Sequence, residues 1–135
     1  MDPVPESFTI MVIDDEEIVR DLVAELLQMS GHRVIAVPGG EDALAMVRAA
    51  QPNLILVDYH MPGMTGLEVV RRLKADDETS RIPVVAMTSA TGRDANELSR
   101  AGCIAFIPKP FEPTAFRHLV GDILRATVGR KRRAE

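Results

Sequence analysis

Cysteine occurs once in the 135 residues, as Cys103, so the chain can form no internal disulfide and no multi-cysteine metal site. Its apolar neighbours make it an expected core thiol, inert and packed like a small hydrophobe. Long apolar runs are missing as well. Nothing approaches the roughly 20 residues a membrane helix requires, and the opening MDPVPESF lacks the basic and apolar regions of a secretory signal. A cytoplasmic protein without membrane insertion is the expectation. Neither G-x-G-x-x-G nor G-x-x-x-x-G-K-[ST] occurs, which argues against a nucleotide- or flavin-binding module. Positive charge is scarce outside the C-terminus. The formal charge is −4, yet residues 130–135 hold four bases against one acid, leaving −7 for residues 1–129. The basic end reads as a solvated tail.

What is present is one domain's worth of alternating patterns. Residues 9–13 (TIMVI), 33–37 (RVIAV), 54–57 (LILV), 84–88 (VVAMT) and 104–107 (IAFI) are short Val/Ile/Leu-rich runs, the signature of strands covered on both faces. Between them the apolar period lengthens towards 3.6. Over residues 16–30, Val19, Leu22, Val23, Leu26 and Leu27 share one face opposite Glu17, Asp21, Glu25 and Gln28, and Gly31 stops the helix. Further helices are predicted over 41–50, 66–76 and 93–101. The fourth has only Ala95, Leu98 and Ala101 to bury and should be weakly anchored. A fifth opens with Glu112 as cap and Pro113 at the first helical position, then buries Phe116, Leu119, Val120, Ile123 and Leu124. Five β/α units imply a parallel sheet with helices on both faces, and such folds place their sites at the carboxyl ends of the strands.

Those ends carry Asp14-Asp15, Asp58 and Thr88, with Lys109 closely following the last strand. Taken singly, each has a plain reading: Asp14 and Asp15 as helix caps, Asp58 as a turn former, Thr88 as a strand residue, Lys109 as a solvated charge. Taken together they predict a cleft in which three carboxylates repel one another unless a cation offsets them. A hard divalent ion suits such a site, and Lys109 adds a second positive charge. One carboxylate could then attack phosphorus while metal, ammonium and the Thr88 hydroxyl neutralise the moving group.

VIDDEE, LVDYHMPGMTG, MTSA and IPKPF, in this order and spacing, resemble the receiver domain of two-component response regulators over nearly all of residues 8–128. The resemblance implies a flavodoxin-like (βα)5 three-layer α/β/α sandwich with strand order 2-1-3-4-5, flanked by an N-terminal extension (1–7) and a basic tail (129–135). It implies that Asp58 accepts a phosphoryl group from a histidine kinase or phosphotransfer protein. Asp15 would ligate Mg²⁺ directly, or Mn²⁺ in its place, with Asp14 acting through water and Asp58 and the backbone carbonyl of His60 completing the set. Lys109 would pair with Asp58 before transfer and with the phosphoryl group after it, Thr88 would hydrogen-bond that group, and Ser89 and Ala90 would leave room for it. Lys109-Pro110 would be a cis peptide.

Thr88 and Phe106 would form the switch, altering the surface of the fourth helix, fifth strand and fifth helix for a downstream protein. A dimer formed on phosphorylation is a further expectation; nucleic-acid binding is not. The chain would be no enzyme in the usual sense, though it assists its own phosphorylation and dephosphorylation. The ring of His60 would influence phosphate lifetime by contacting water, and His32 and His118 are expected at the surface. A stand-alone protein is expected, with a module cut from a longer regulator as the alternative. A haloacid dehalogenase-type phosphatase would require Asp-x-Asp, whereas position 16 is Glu16.

Overall fold

A computed structural model describes residues 7–88 and 93–129. The five apolar runs form one parallel sheet: β1 (Thr9–Ile13), β2 (Arg33–Val37), β3 (Leu54–Asp58), β4 (Val84–Thr88) and β5 (Ala105–Pro108), in the order β2-β1-β3-β4-β5. The crossovers are α1 (Glu17–Met29), α2 (Gly40–Ala50), α3 (Gly66–Ala75) and α4 (Arg93–Ala101), and α5 (Pro113–Leu124) follows the last strand. Alternate strand residues divide the core in two. Met11, Ile13, Val57 and Val84 pack with α2, α3 and α4 on one face; Ile10, Val12, Leu56 and Met87 pack with α1 and α5 on the other. Every residue of β3 and β4 is buried, which is why these two runs carry no polar alternation. Among the described residues no helix is long and apolar enough to cross a membrane.

Local chemistry sets the helix ends. Glu112 caps α5 by accepting from the N–H groups of Thr114 (3.0 Å) and Ala115 (2.8 Å), with Pro113 behind it. Thr65 caps α3 by accepting from Glu68 N–H at 3.3 Å. Gly31, at φ +91°, turns the chain out of α1. The α1 N-terminus has no side-chain cap, so Asp14 and Asp15 do not serve that role.

Several expectations need correction. Leu22, at the margin of the α1 stripe, is exposed, and Val23, Leu26 and Leu27 carry the contact instead. Leu119 is half-buried. Strand β5 runs one residue later than the apolar pattern, because Ile104 is 48% exposed at the sheet edge. Beyond Leu124 the chain continues as a π-helical turn, Arg125–Gly129, where Thr127 Oγ1 donates to the Ile123 carbonyl (2.7 Å) and Val128 is buried. Cys103 is buried as expected, and burial pushes its thiol up to about 11.

His32 is not a free surface residue. It is half-buried, and its Nδ1 accepts the Phe8 N–H at 3.2 Å. Burial holds its pKa below the ordinary 6.5. The unfolded chain therefore takes up the proton first, so the His32 contribution to stability is full above 6.5 and is lost as pH falls from there through the folded pKa. Urea midpoints measured from neutral to mildly acidic pH should fall, and His32→Asn should flatten that part of the slope.

Gly66 opens α3 hard against the end of β3. A Cβ there would lie 2.4 Å from the Asp58 carbonyl oxygen and 2.8 Å from Tyr59 Cα, and the Gly66 N–H donates to the Tyr59 carbonyl at 2.9 Å. Backbone on both sides leaves nothing flexible to yield. Gly66→Ala should cost about 1–3 kcal/mol of folding stability, read from urea denaturation.

Candidate active site

The register of the sheet creates the site. Val12 pairs with Leu56 and Ile13 with Val57, so one step further the chains carry Asp14 and Asp58 side by side. Asp14 N–H still donates to the Val37 carbonyl (3.2 Å), which keeps the residue in line with the strand. Neither carboxylate reaches bulk solvent freely: Asp14 is 0% and Asp58 4% exposed. Lys109 arrives from the loop after β5. Its N–H donates to the Thr88 carbonyl (3.2 Å), and the Lys109-Pro110 peptide is cis. From there Nζ donates to Asp14 Oδ2 at 2.8 Å and lies 3.3 Å from Asp58 Oδ1. The other Asp14 oxygen, Oδ1, accepts the Glu16 N–H at 2.9 Å. Arg20 Nη1 donates to the Asp14 carbonyl oxygen at 2.8 Å.

Electrostatics follow from this crowding. Burial first, and then the neighbouring charge of Asp14, raise the pKa of Asp58, while Lys109 opposes both. Burial disfavours the Lys109 ammonium, but its hydrogen bond and charge contact with Asp14, joined by Asp58, hold its pKa above the ordinary value. One ammonium is thus shared by two buried carboxylates. Two further acids stand at the rim. Asp15 and Glu16 are exposed, and one oxygen from each, with one from Asp14, lies within a group spanning 4.8 Å. All three donors are hard oxygens, the type that suits Mg²⁺ or Ca²⁺. Glu16, which was not expected among the ligands, is the third member of this group.

Thr88 is buried at the end of β4, one residue beyond the Met87 that pairs with Asp58. Phe106 pairs with Ala86, so it stands on the Thr88 side of the sheet two residues below it, half-buried against the core. His60 is exposed, with its ring edge-on to Tyr59 at 4.6 Å, and His118 is exposed as expected. Ser89 and Ala90 lie outside the described residues, as do the N-terminal extension through Glu6 and the tail from Arg130. Four participants escaped the sequence reading: Glu16, Arg20, Gly66 and Tyr59, whose hydroxyl donates to Asp94 at 3.3 Å. Glu16 was legible as the third acid of the DDE run. The roles of Arg20, Gly66 and Tyr59 depend on which loops meet.

The response regulator receiver domain family matches residues 10–121. The polar-differentiation response regulator DivK of Brucella anthropi is 38% identical over 117 residues, covering 86% of this chain and 95% of DivK. The phosphate regulon transcriptional regulatory protein PhoB of Pseudomonas aeruginosa is 35% identical over 121 residues, 88% of this chain, and the chain spans about half (52%) of that relative. Among solved structures, the receiver domain of the sensor histidine kinase PA1611 from Pseudomonas aeruginosa, with a magnesium ion coordinated in its active-site cleft, superposes with TM-score 0.80 at 25% identity, covering 92% of this chain and 99% of that one. The response regulator Rcp1, solved in a Mn²⁺-bound form, superposes with TM-score 0.72 at 26% identity, covering 87% of this chain and 92% of that one. The chain therefore belongs to the response regulator receiver family, signalling proteins whose general function is to be phosphorylated by histidine kinases.

Proposed function

We propose that Asp58 is the phospho-acceptor, and that its phosphorylation switches a protein-binding surface built from α4, β5 and α5. The observation that carries this reading is the Lys109 ammonium reaching both Asp14 and Asp58 at the buried end of the sheet. Asp58 ends a fully buried strand, so its carboxylate is aimed rather than free. In the transfer, an Asp58 oxygen bonds to phosphorus as the phosphorus–nitrogen bond to the donor histidine breaks, and the imidazole leaves with its electron pair and takes up a proton. Asp58 must be ionised to attack, and Lys109 favours that form against burial and Asp14. After transfer the phosphoryl group carries more negative charge than the carboxylate it replaces. Lys109 then turns to it, and the Thr88 hydroxyl donates to one of its oxygens.

The acidic trio supports a divalent-ion site. Asp14 already engages both oxygens, with Glu16 N–H and with Lys109. Exposed Asp15 would then be the direct ligand and Asp14 would act through water, with Asp58, the His60 carbonyl and Glu16 as further oxygen donors. Mg²⁺, or Mn²⁺ in its place, would supply positive charge to the phosphoryl oxygens there.

Output follows from Phe106. Half-buried beside Ala86, it can move inward when Thr88 is drawn to the phosphoryl group, and α4 has one buried residue, Leu98, with which to resist. The donor is a histidine kinase or phosphotransfer protein in the cytoplasm, and the recipient a separate protein, as the match along nearly all of DivK supports. Dimerisation on phosphorylation and self-dephosphorylation belong to the same reading.

Incubation of the full chain with Mg²⁺ and acetyl phosphate should add one phosphoryl group by intact mass. The addition should disappear in Asp58→Asn and after chelation of the metal. Labelling of Asp58→Asn as fast as the parent would place the nucleophile elsewhere.

A further inference from the structure

Tyr59 is the only tyrosine of the chain, and it directly follows Asp58. Its N–H donates to the Met87 carbonyl at 3.3 Å, so its backbone is held by the end of the sheet. Its ring packs against the core on one side and stands edge-on to His60 on the other, and its hydroxyl donates to Asp94 Oδ1 at 3.3 Å. Asp94 is the second residue of α4, whose first turn favours a carboxylate. The bond therefore ties the residue beside Asp58 to the N-terminal turn of the helix with the least apolar anchorage: Leu98 is its one buried residue, while α3 buries five. Burial, and then the nearby Asp94 charge, raise the Tyr59 pKa above its ordinary value.

We propose that Tyr59 and Asp94 form a latch that holds the first turn of α4 against the β3–α3 loop, so that Tyr59 acts as a positioning residue restraining α4 in the unmodified protein. Its control over phosphorylation rests on the reading of Asp58 as acceptor; its existence does not. A bond made in the resting arrangement and lost when α4 moves opposes phosphorylation by the same factor by which phosphorylation opposes the bond.

Two measurements on the full chain test this. Amide hydrogen exchange of residues 94–101 in the unphosphorylated protein should be about three- to fivefold faster in Tyr59→Phe and in Asp94→Ala. The double variant should be no faster than either single one, and Asp94→Asn, which keeps an acceptor oxygen, should stay close to the parent. Labelling by acetyl phosphate with Mg²⁺ should quicken in Tyr59→Phe by up to the same factor. Parent-like exchange in both single variants, or effects that multiply in the double variant, would remove the latch. Faster exchange with unchanged or slower labelling would remove its control over the site. If the parent itself takes no label at Asp58, the acceptor reading fails while the exchange results still decide the latch.

Discussion

A single ammonium group, Lys109 Nζ, lies 2.8 Å from Asp14 and 3.3 Å from Asp58, and the acidic end of the sheet depends on it. Adjacent parallel strands in register bring their ends together, and here the residue one step past Ile13 and the last residue of β3 are both carboxylates that solvent scarcely touches. Without a cation, one of them would be driven towards its neutral form. Lys109 prevents this only in part, since the pKa of Asp58 remains raised. A site left under such tension favours the arrival of further positive charge.

Burial is uneven across the scaffold. Strands β3 and β4 are buried along their whole length, and α3 is locked to the end of β3 by the close approach of Gly66. These contacts fix Asp58 to within the tolerance of a packed core. Helix α4 is the contrast. It is short and polar, with Leu98 its one buried residue and the Tyr59–Asp94 hydrogen bond at its first turn.

Much of this was legible in the chain. Uniform apolar runs gave away the buried strands, and the strand displaced at both ends, β5, lies on the edge, where Ile104 is half in water. The Glu112-Pro113 start of α5 was readable because a cap acts within three residues. Leu22 was misread because period alone does not say how wide a stripe the sheet will cover. The π-helical turn at Arg125–Gly129 had no pattern of its own to announce it; Val128 is buried in the core there through contacts made across the chain. His32 looked like a surface residue because its partner, the Phe8 N–H, is 24 positions away.

The sequence by itself determined the element order, the parallel sheet and the chemical identity of the cleft, since these rest on local periodicity, on short-range capping and on which residue types end the strands. Tertiary structure alone decided that Lys109 bonds more closely to Asp14 than to Asp58, that Glu16 joins Asp14 and Asp15 in one oxygen cluster, and that Tyr59 reaches Asp94. Each of these is a choice between partners of similar chemistry. Differences of an ångström in loop placement make such choices, and no pattern along a single chain encodes distances between loops.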